Sequence, residues 1–165
     1  MKRLVWLVGP PGAGKSTSAE ALLAQPRPPR VLELAEWLHP LVDPAKPRKG
    51  MMRAKGLLIQ AIREVELEPA NDGLPPLVIL TAIQSEAGLF PLAMEEAVVL
   101  LLPRQEQWER QFLSRSPRSS PGSRPMGLEE ARGWYERYAG WLERGLPVHQ
   151  VSNADEASRF IEGLR

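Results

Sequence analysis

Gly9-Pro10-Pro11-Gly12-Ala13-Gly14-Lys15-Ser16-Thr17, set directly after the apolar run Leu4-Val5-Trp6-Leu7-Val8, decides how the rest of the chain is read. The stretch matches G-x-x-x-x-G-K-Ser/Thr in the context that pattern needs, with a buried strand expected before it and a helix-forming segment, Ser18 to Gln25, after it. Glycines let the backbone turn its N–H groups inward into an anion-binding concavity, and the following helix N-terminus adds partial positive charge. In that arrangement Lys15 is expected to reach the β- and γ-phosphates of a nucleoside triphosphate, and Ser16 to offer its hydroxyl to Mg²⁺. Gly9, Pro10, Pro11, Gly12, Ala13, Gly14 and Thr17 complete the expected cradle. A plain strand-to-helix turn would use the glycines but has no need of Lys-Ser behind them.

The totals bound the rest. A chain of 165 residues with 43% hydrophobic and 25% charged residues has the composition of a globular domain and length enough for a proper core. The formal net charge of +1 excludes a highly charged tail protein. Cysteine is absent, so neither a disulfide framework nor a thiolate metal site is available. Met1-Lys2-Arg3 before an apolar run superficially resembles a signal peptide, but the run ends after five residues at the phosphate loop. No stretch approaches the ~20 apolar residues of a membrane span. A cytoplasmic protein without a membrane partner is expected.

Five short apolar runs, 4–8, 31–34, 77–80, 97–102 and 148–151, alternate with helical patterns. Continuous rather than alternating apolar runs point to strands covered on both faces, as in a parallel sheet, so the fold class is α/β with helices on either side. Leu128, Ala131, Tyr135, Tyr138 and Leu142 give one helical apolar face, and Met51, Ala54, Leu58, Ala61 and Val65 another. Asn153 and Glu156 form an N-x-x-E pattern suited to capping a last helix over 154–164. Residues 40–50 read as a rigid basic connector and 114–125 as a polar, acid-free loop, placed to act as a lid over about 110–127. Nothing in the chain reads as an inter-domain linker, so residues 1–165 are expected to form one domain.

With the phosphate loop, the third strand Val78-Ile79-Leu80-Thr81, the segment Gln105–Arg115 after the fourth strand, and Gly122–Glu130 before an aromatic-bearing helix, the chain resembles the P-loop kinase group. It resembles most the kinase domain of bacteriophage-type polynucleotide kinases, over nearly its whole length. The resemblance implies a five-stranded parallel sheet in order 2-3-1-4-5, an arginine-bearing lid, and transfer of the ATP γ-phosphoryl to a hydroxyl with Mg²⁺ as cofactor. It implies that an acid just after the second strand orients and deprotonates the acceptor. Where the group usually has Asp, this chain has Glu33-Leu34-Ala35-Glu36-Trp37. Glu36 is the first choice for that role and Glu33 the second. The third strand ends in Ala82 where many relatives place an Asp for the metal shell; Thr81 or Glu86 is the candidate substitute. Asn153, after the fifth strand, occupies the place where related kinases pass the adenine ring.

Phosphoryl transfer asks mainly for positioning and charge neutralisation. Arg115 is expected to close over the transferring group, with Arg110, Arg118 and Arg124 beside it, because a guanidinium can bond two phosphate oxygens at once. Arg104, next to Pro103 at a strand end, is a further candidate. Lys46, Arg48, Lys49, Arg53 and Lys55 form a one-sign cluster on the acceptor side, which suggests an anionic acceptor such as a nucleic-acid 5′ end or a nucleotide-like molecule. Trp37 is the aromatic residue most expected to face that acceptor, whereas Trp134, Tyr135, Tyr138 and Trp141 read as packing. His39 and His149 are structural. Two competing readings stay open: a small-molecule kinase of the gluconate, shikimate or antibiotic-modifying sort, and an ATP-binding module without turnover. A switch GTPase is excluded by the lack of N-K-x-D after the fourth strand.

Overall fold

In the computed structural model, residues 1–41, 45, 47–115 and 126–165 are described, with 47–49 as backbone only. Five strands, β1 (Leu4–Val8), β2 (Arg30–Glu33), β3 (Leu77–Thr81), β4 (Glu96–Leu101) and β5 (His149–Val151), form one sheet in order β2-β3-β1-β4-β5. Every pairing is parallel, with Leu4 opposite Leu77 and Glu96 on its two sides. The helices are α1 (Lys15–Leu23), α2 (Leu34–Leu38), α3 (Pro47–Glu66), α4 (Glu86–Leu89), α5 (Gln105–Ser114), α6 (Leu128–Glu143) and α7 (Ala154–Glu162).

The period-2 alternation of strand side chains builds the two helical layers. Val5 and Leu7 point to one face, where Leu22, Trp108, Ala157 and Ile161 from α1, α5 and α7 meet them. Leu4, Trp6 and Val8 point to the other, against Leu34, Ile59, Leu89, Tyr138 and Trp141 from α2, α3, α4 and α6. β1, β3 and β4 are buried along their whole length, which is why they read as unbroken apolar runs. Full burial of a side chain such as Leu7 or Ile79 stabilises by roughly 1.5–3 kcal/mol. A buried carboxylate interrupts the apolar interior at the start of β4. Glu96 is 3% exposed, and its carboxylate accepts bonds from Trp6 Nε1 at 2.9 Å, Arg63 Nε at 2.7 Å and the Ala93 N–H at 2.6 Å. These three donors satisfy an ion that would otherwise be costly to bury.

Three boundaries and one helical face differ from expectation, each for a local reason. α1 opens at Lys15 rather than Ser18, with Gly14 at φ +110° as its cap residue, so Lys15 and Ser16 occupy the first helical turn. β2 stops at Glu33, because Leu34 is fully buried as the first residue of α2. The expected connector gives its last four residues to α3, which starts on Pro47, a residue suited to the first helical position. Within α3 the buried face is Lys55, Leu58, Ile59 and Ile62, while Val65 is exposed. The reading from Met51 to Val65 was therefore rotated from the true face. The α6 stripe stands as expected, joined by Trp141.

Candidate functional site

β1 lies where the strand order reverses, the position at which α/β sheets bind ligands beyond the carboxyl ends of their strands. The loop leaving it is held closely. A Cβ on Gly9 would lie 2.5 Å from the Leu101 carbonyl oxygen, so β4 leaves no room for a side chain there. Gly12 has φ +78°, and a Cβ on it would lie 3.0 Å from Phe112 Cα of α5. Three successive carbonyls are occupied by two side chains. Lys15 Nζ donates to Gly9 O at 2.7 Å and Pro10 O at 3.0 Å, and Trp108 Nε1 donates to Pro11 O at 2.8 Å. Trp108 is fully buried, so α5 is tied to the loop from behind.

In front of the loop is a cleft of about 290 Å³. One wall consists of phosphate-loop residues, among them Pro11, Gly12, Gly14, Lys15, Ser16 and Thr17. Facing them are Glu33 from the end of β2, Ala82 beyond β3, and Gln111 and Arg115 from α5 and its end. Burial lowers the Lys15 ammonium to about pKa 7, with Glu33 opposing that shift and Arg115 adding to it. The Arg115 guanidinium lies 4.3 Å from the centre of the Phe112 ring, a cation–π seat that aims it at the cleft. A second lysine lies close by. Lys55 is 7% exposed, donates to the Ile83 carbonyl, and is lowered to about pKa 7 by burial and then by Lys15. That hydrogen bond goes to a neutral carbonyl, and among the described residues no ion pair joins Lys55 to a carboxylate.

The cradle's donors suit a triphosphate: a half-buried ammonium, a helix N-terminus and a loop too tight for any side chain at Gly12. Among the described residues no three His, Cys, Asp or Glu side chains converge as a metal nest. That suits Mg²⁺, which takes few protein ligands and completes its shell with phosphate oxygens and water. Ser16 and Thr17 both bring hydroxyl-bearing side chains to this wall.

Other expected residues lie elsewhere. Glu36 and Trp37 are exposed on α2, Trp37 at 59%, and neither lines the cleft. Arg110 is exposed and shares a separate surface hollow with Arg104. Asn153 caps α7, accepting the Glu156 N–H at 2.8 Å, while Glu156 accepts from Ser152 N at 2.9 Å. Thr81 is buried and 3.4 Å from Gln84 Oε1, and Glu86 pairs with Arg144 at 2.6 Å, so neither reaches the cleft. Arg118, Arg124 and Lys46 lie outside the described residues, as do the side chains of Arg48 and Lys49. Arg53 is exposed. The sequence reading missed Gln111, whose buried Oε1 has no partner among the described residues, and the inward turn of Lys55. A rotated helical stripe on α3 was the available signal for Lys55; Gln111 carried none.

No family model and no curated protein matches the chain. Solved structures do. Shikimate kinase from Aquifex aeolicus is 16% identical, with TM-score 0.65, over 98% of this chain and 95% of that one. Shikimate kinase from Acinetobacter baumannii, in complex with shikimate, is 14% identical with TM-score 0.63, over 99% and 93%. A gluconokinase from Sinorhizobium meliloti is 17% identical with TM-score 0.59, over 99% and 93%. No helix of the described residues is long and apolar enough to cross a membrane. Sheet order, phosphate loop and these likenesses together assign the chain the P-loop kinase fold.

Proposed function

We propose that the chain is an ATP-dependent phosphotransferase that moves the γ-phosphoryl to a hydroxyl of a small anionic molecule. The observation that carries this is one compact cleft holding the Lys15 ammonium, the Arg115 guanidinium and, among the described residues, one facing carboxylate, Glu33. Lys15 and the N-terminus of α1 bind the triphosphate, and Ser16 contributes a ligand to Mg²⁺, which when bound neutralises charge on the phosphate oxygens. Arg115 neutralises charge that grows on the transferring group. Glu33 orients the acceptor hydroxyl and takes its proton as the hydroxyl oxygen bonds to phosphorus and the bond to ADP breaks. Glu33 replaces Glu36 as first choice because it faces Lys15 across the cleft, whereas Glu36 points into solvent.

The acceptor reading also moves. An open basic channel along α3 would favour a polynucleotide end, but Lys55, its best-described inner member, is buried beside Lys15. A confined cation supports a small acceptor that carries its own negative charge. The shikimate kinases and gluconokinase of the same fold are in keeping with that class. Labelled ATP and Mg²⁺ incubated with sugar acids, hydroxy acids, nucleotides and oligonucleotides test the proposal. Label on a small hydroxylated anion is the expected result. Label on oligonucleotides alone would restore the polynucleotide reading, and nucleotide binding with no labelled acceptor would make the chain a module without turnover.

A further inference from the structure

α6 touches both walls of the cleft through two tyrosines on one face, three residues apart. On the phosphate wall, the Tyr135 ring lies 4.9 Å from Trp108, the residue bonded to Pro11 O, and the Tyr135 hydroxyl donates to Pro103 O at 2.5 Å. On the opposite wall, the Tyr138 hydroxyl donates to Ala82 O at 2.6 Å and accepts from the Gln84 N–H at 3.0 Å. Tyr138 is fully buried, and its phenol is pushed up well above the ordinary value by that burial, so it remains a neutral O–H that both donates and accepts. Lys55 holds Ile83 O between those two bonds.

Three consecutive residues beyond β3 are thus fastened by side chains from two helices rather than by strand pairing. The loop needs this because Ala82 lines the cleft with only a methyl group. Where that wall stands is set by its backbone. We infer that α6 sets the spacing between the two walls, with Tyr138 the positioning residue of the wall beyond β3 and Tyr135 its counterpart behind the phosphate loop. In-line transfer is sensitive to ångström misplacement of the acceptor, so a loosened wall costs transfer to the acceptor more than it costs nucleotide binding. The kinetic part of this inference rests on the proposed transfer; the mechanical part does not.

The test compares Tyr138→Phe and Tyr135→Phe with Leu4→Val, a buried change at the far end of β1. Amide hydrogen exchange at Gln84 is measured with and without ATP–Mg²⁺, together with the ratio of ADP formed to acceptor phosphorylated. Tyr138→Phe leaves a buried donor and acceptor unpaired, so exchange at Gln84 is expected to speed about tenfold or more. Nucleotide affinity is expected to hold within about twofold, acceptor KM to rise, and more ADP to form per product as water competes. Tyr135→Phe is expected to loosen nucleotide binding instead. Leu4→Val is expected to lower stability while leaving nucleotide affinity and the ratio of ADP to phosphorylated acceptor unchanged. Unchanged Gln84 exchange in Tyr138→Phe, or kinetic losses matching those of Leu4→Val at equal stability, would overturn the inference. If the native chain phosphorylates no acceptor, the proposed function fails, and the exchange measurement alone decides the role of Tyr138.

Discussion

Triphosphate binding at pH 8 should draw close to one proton from solution, because the ammonium that must meet the polyanion is mostly neutral beforehand. Lys15 sits at about pKa 7 against an ordinary value near 10.5, with burial the leading cause. At pH 8 only about a tenth of the molecules carry its charge; a bound polyanion restores the group toward its ordinary range, giving an uptake of ~0.9 proton at pH 8 and ~0.1 at pH 6. Recharging the group costs about 1.4 kcal/mol at pH 8, and affinity should fall about sixteenfold between pH 7 and pH 8.5. The nucleotide's own titration is finished by then, since phosphate loses its second proton near pKa ~6. Calorimetry in HEPES and in Tris reads the uptake as the slope of binding enthalpy against buffer ionisation enthalpy.

The same shift fixes a sign for stability. The folded pKa is depressed, so between about 7 and 10.5 the unfolded chain holds more protons, and ligand-free stability must rise with pH across that window. Lys55 carries more of this slope than Lys15, because Lys15 is partly open and screened by solvent. With nucleotide bound the rise should shrink. Lys15→Ala should abolish the proton uptake and weaken binding. Intact binding at pH 8 with no buffer dependence would refute the reasoning, because the triphosphate would then be meeting something other than a desolvated ammonium.

Three further outcomes follow from the geometry. Glu33→Gln should cut acceptor phosphorylation by roughly 10²-fold or more with nucleotide affinity retained, while Glu36→Gln stays near native; initial-rate kinetics on both variants would reverse the assignment if Glu36 proved the sensitive one. Gly12→Ala places a side chain at φ +78° against the Phe112 backbone, so it should lose about 1–2 kcal/mol of stability from strain and also weaken nucleotide binding, read by thermal melts and titration. Glu96→Ala strips the carboxylate from Trp6, Arg63 and Ala93, and leaves a half-buried guanidinium without its counter-charge, so urea unfolding should show a loss of roughly 3 kcal/mol, with the paired change Arg63→Met, Glu96→Leu far milder.

What could be read in advance was what is encoded locally. The phosphate loop is contiguous, and its strand and helix flank it directly, so residues 4–23 declared both the site and the sheet's centre. Doubly buried strands announced themselves as unbroken apolar runs, which is why the parallel sheet was legible. Asn153 and Glu156 encode their cap within four residues, and it formed. The opposite wall of the cleft has no such encoding. Whether Glu33 or Glu36 faces Lys15 depends on where β2 gives way to α2, and that point is set by the burial of Leu34 against the sheet rather than by anything between positions 33 and 36.

Lys55 shows the same limit more sharply. By composition it belongs to a solvated basic stretch, and a lysine is the residue a pattern assigns to the outside. It turns inward because the α3 face is fixed by Ile59 and Ile62, one and two turns on, which pack under the sheet and carry position 55 beneath the loop beyond β3. A charge placed there by its neighbours' hydrophobicity, and bonded to a neutral carbonyl, costs folding energy that the apolar face of α3 offsets. The cost becomes intelligible once the phosphate-loop side is considered: Lys15 and Arg115 line the cleft opposite one carboxylate among the described residues, Glu33, and Lys55 is buried near Lys15, an excess of positive charge that a bound anion would offset. Affinity for anions and instability without them are then one property of the same residues. A stabilising change at Lys55, such as Lys55→Met, should accordingly raise the melting temperature while weakening acceptor binding.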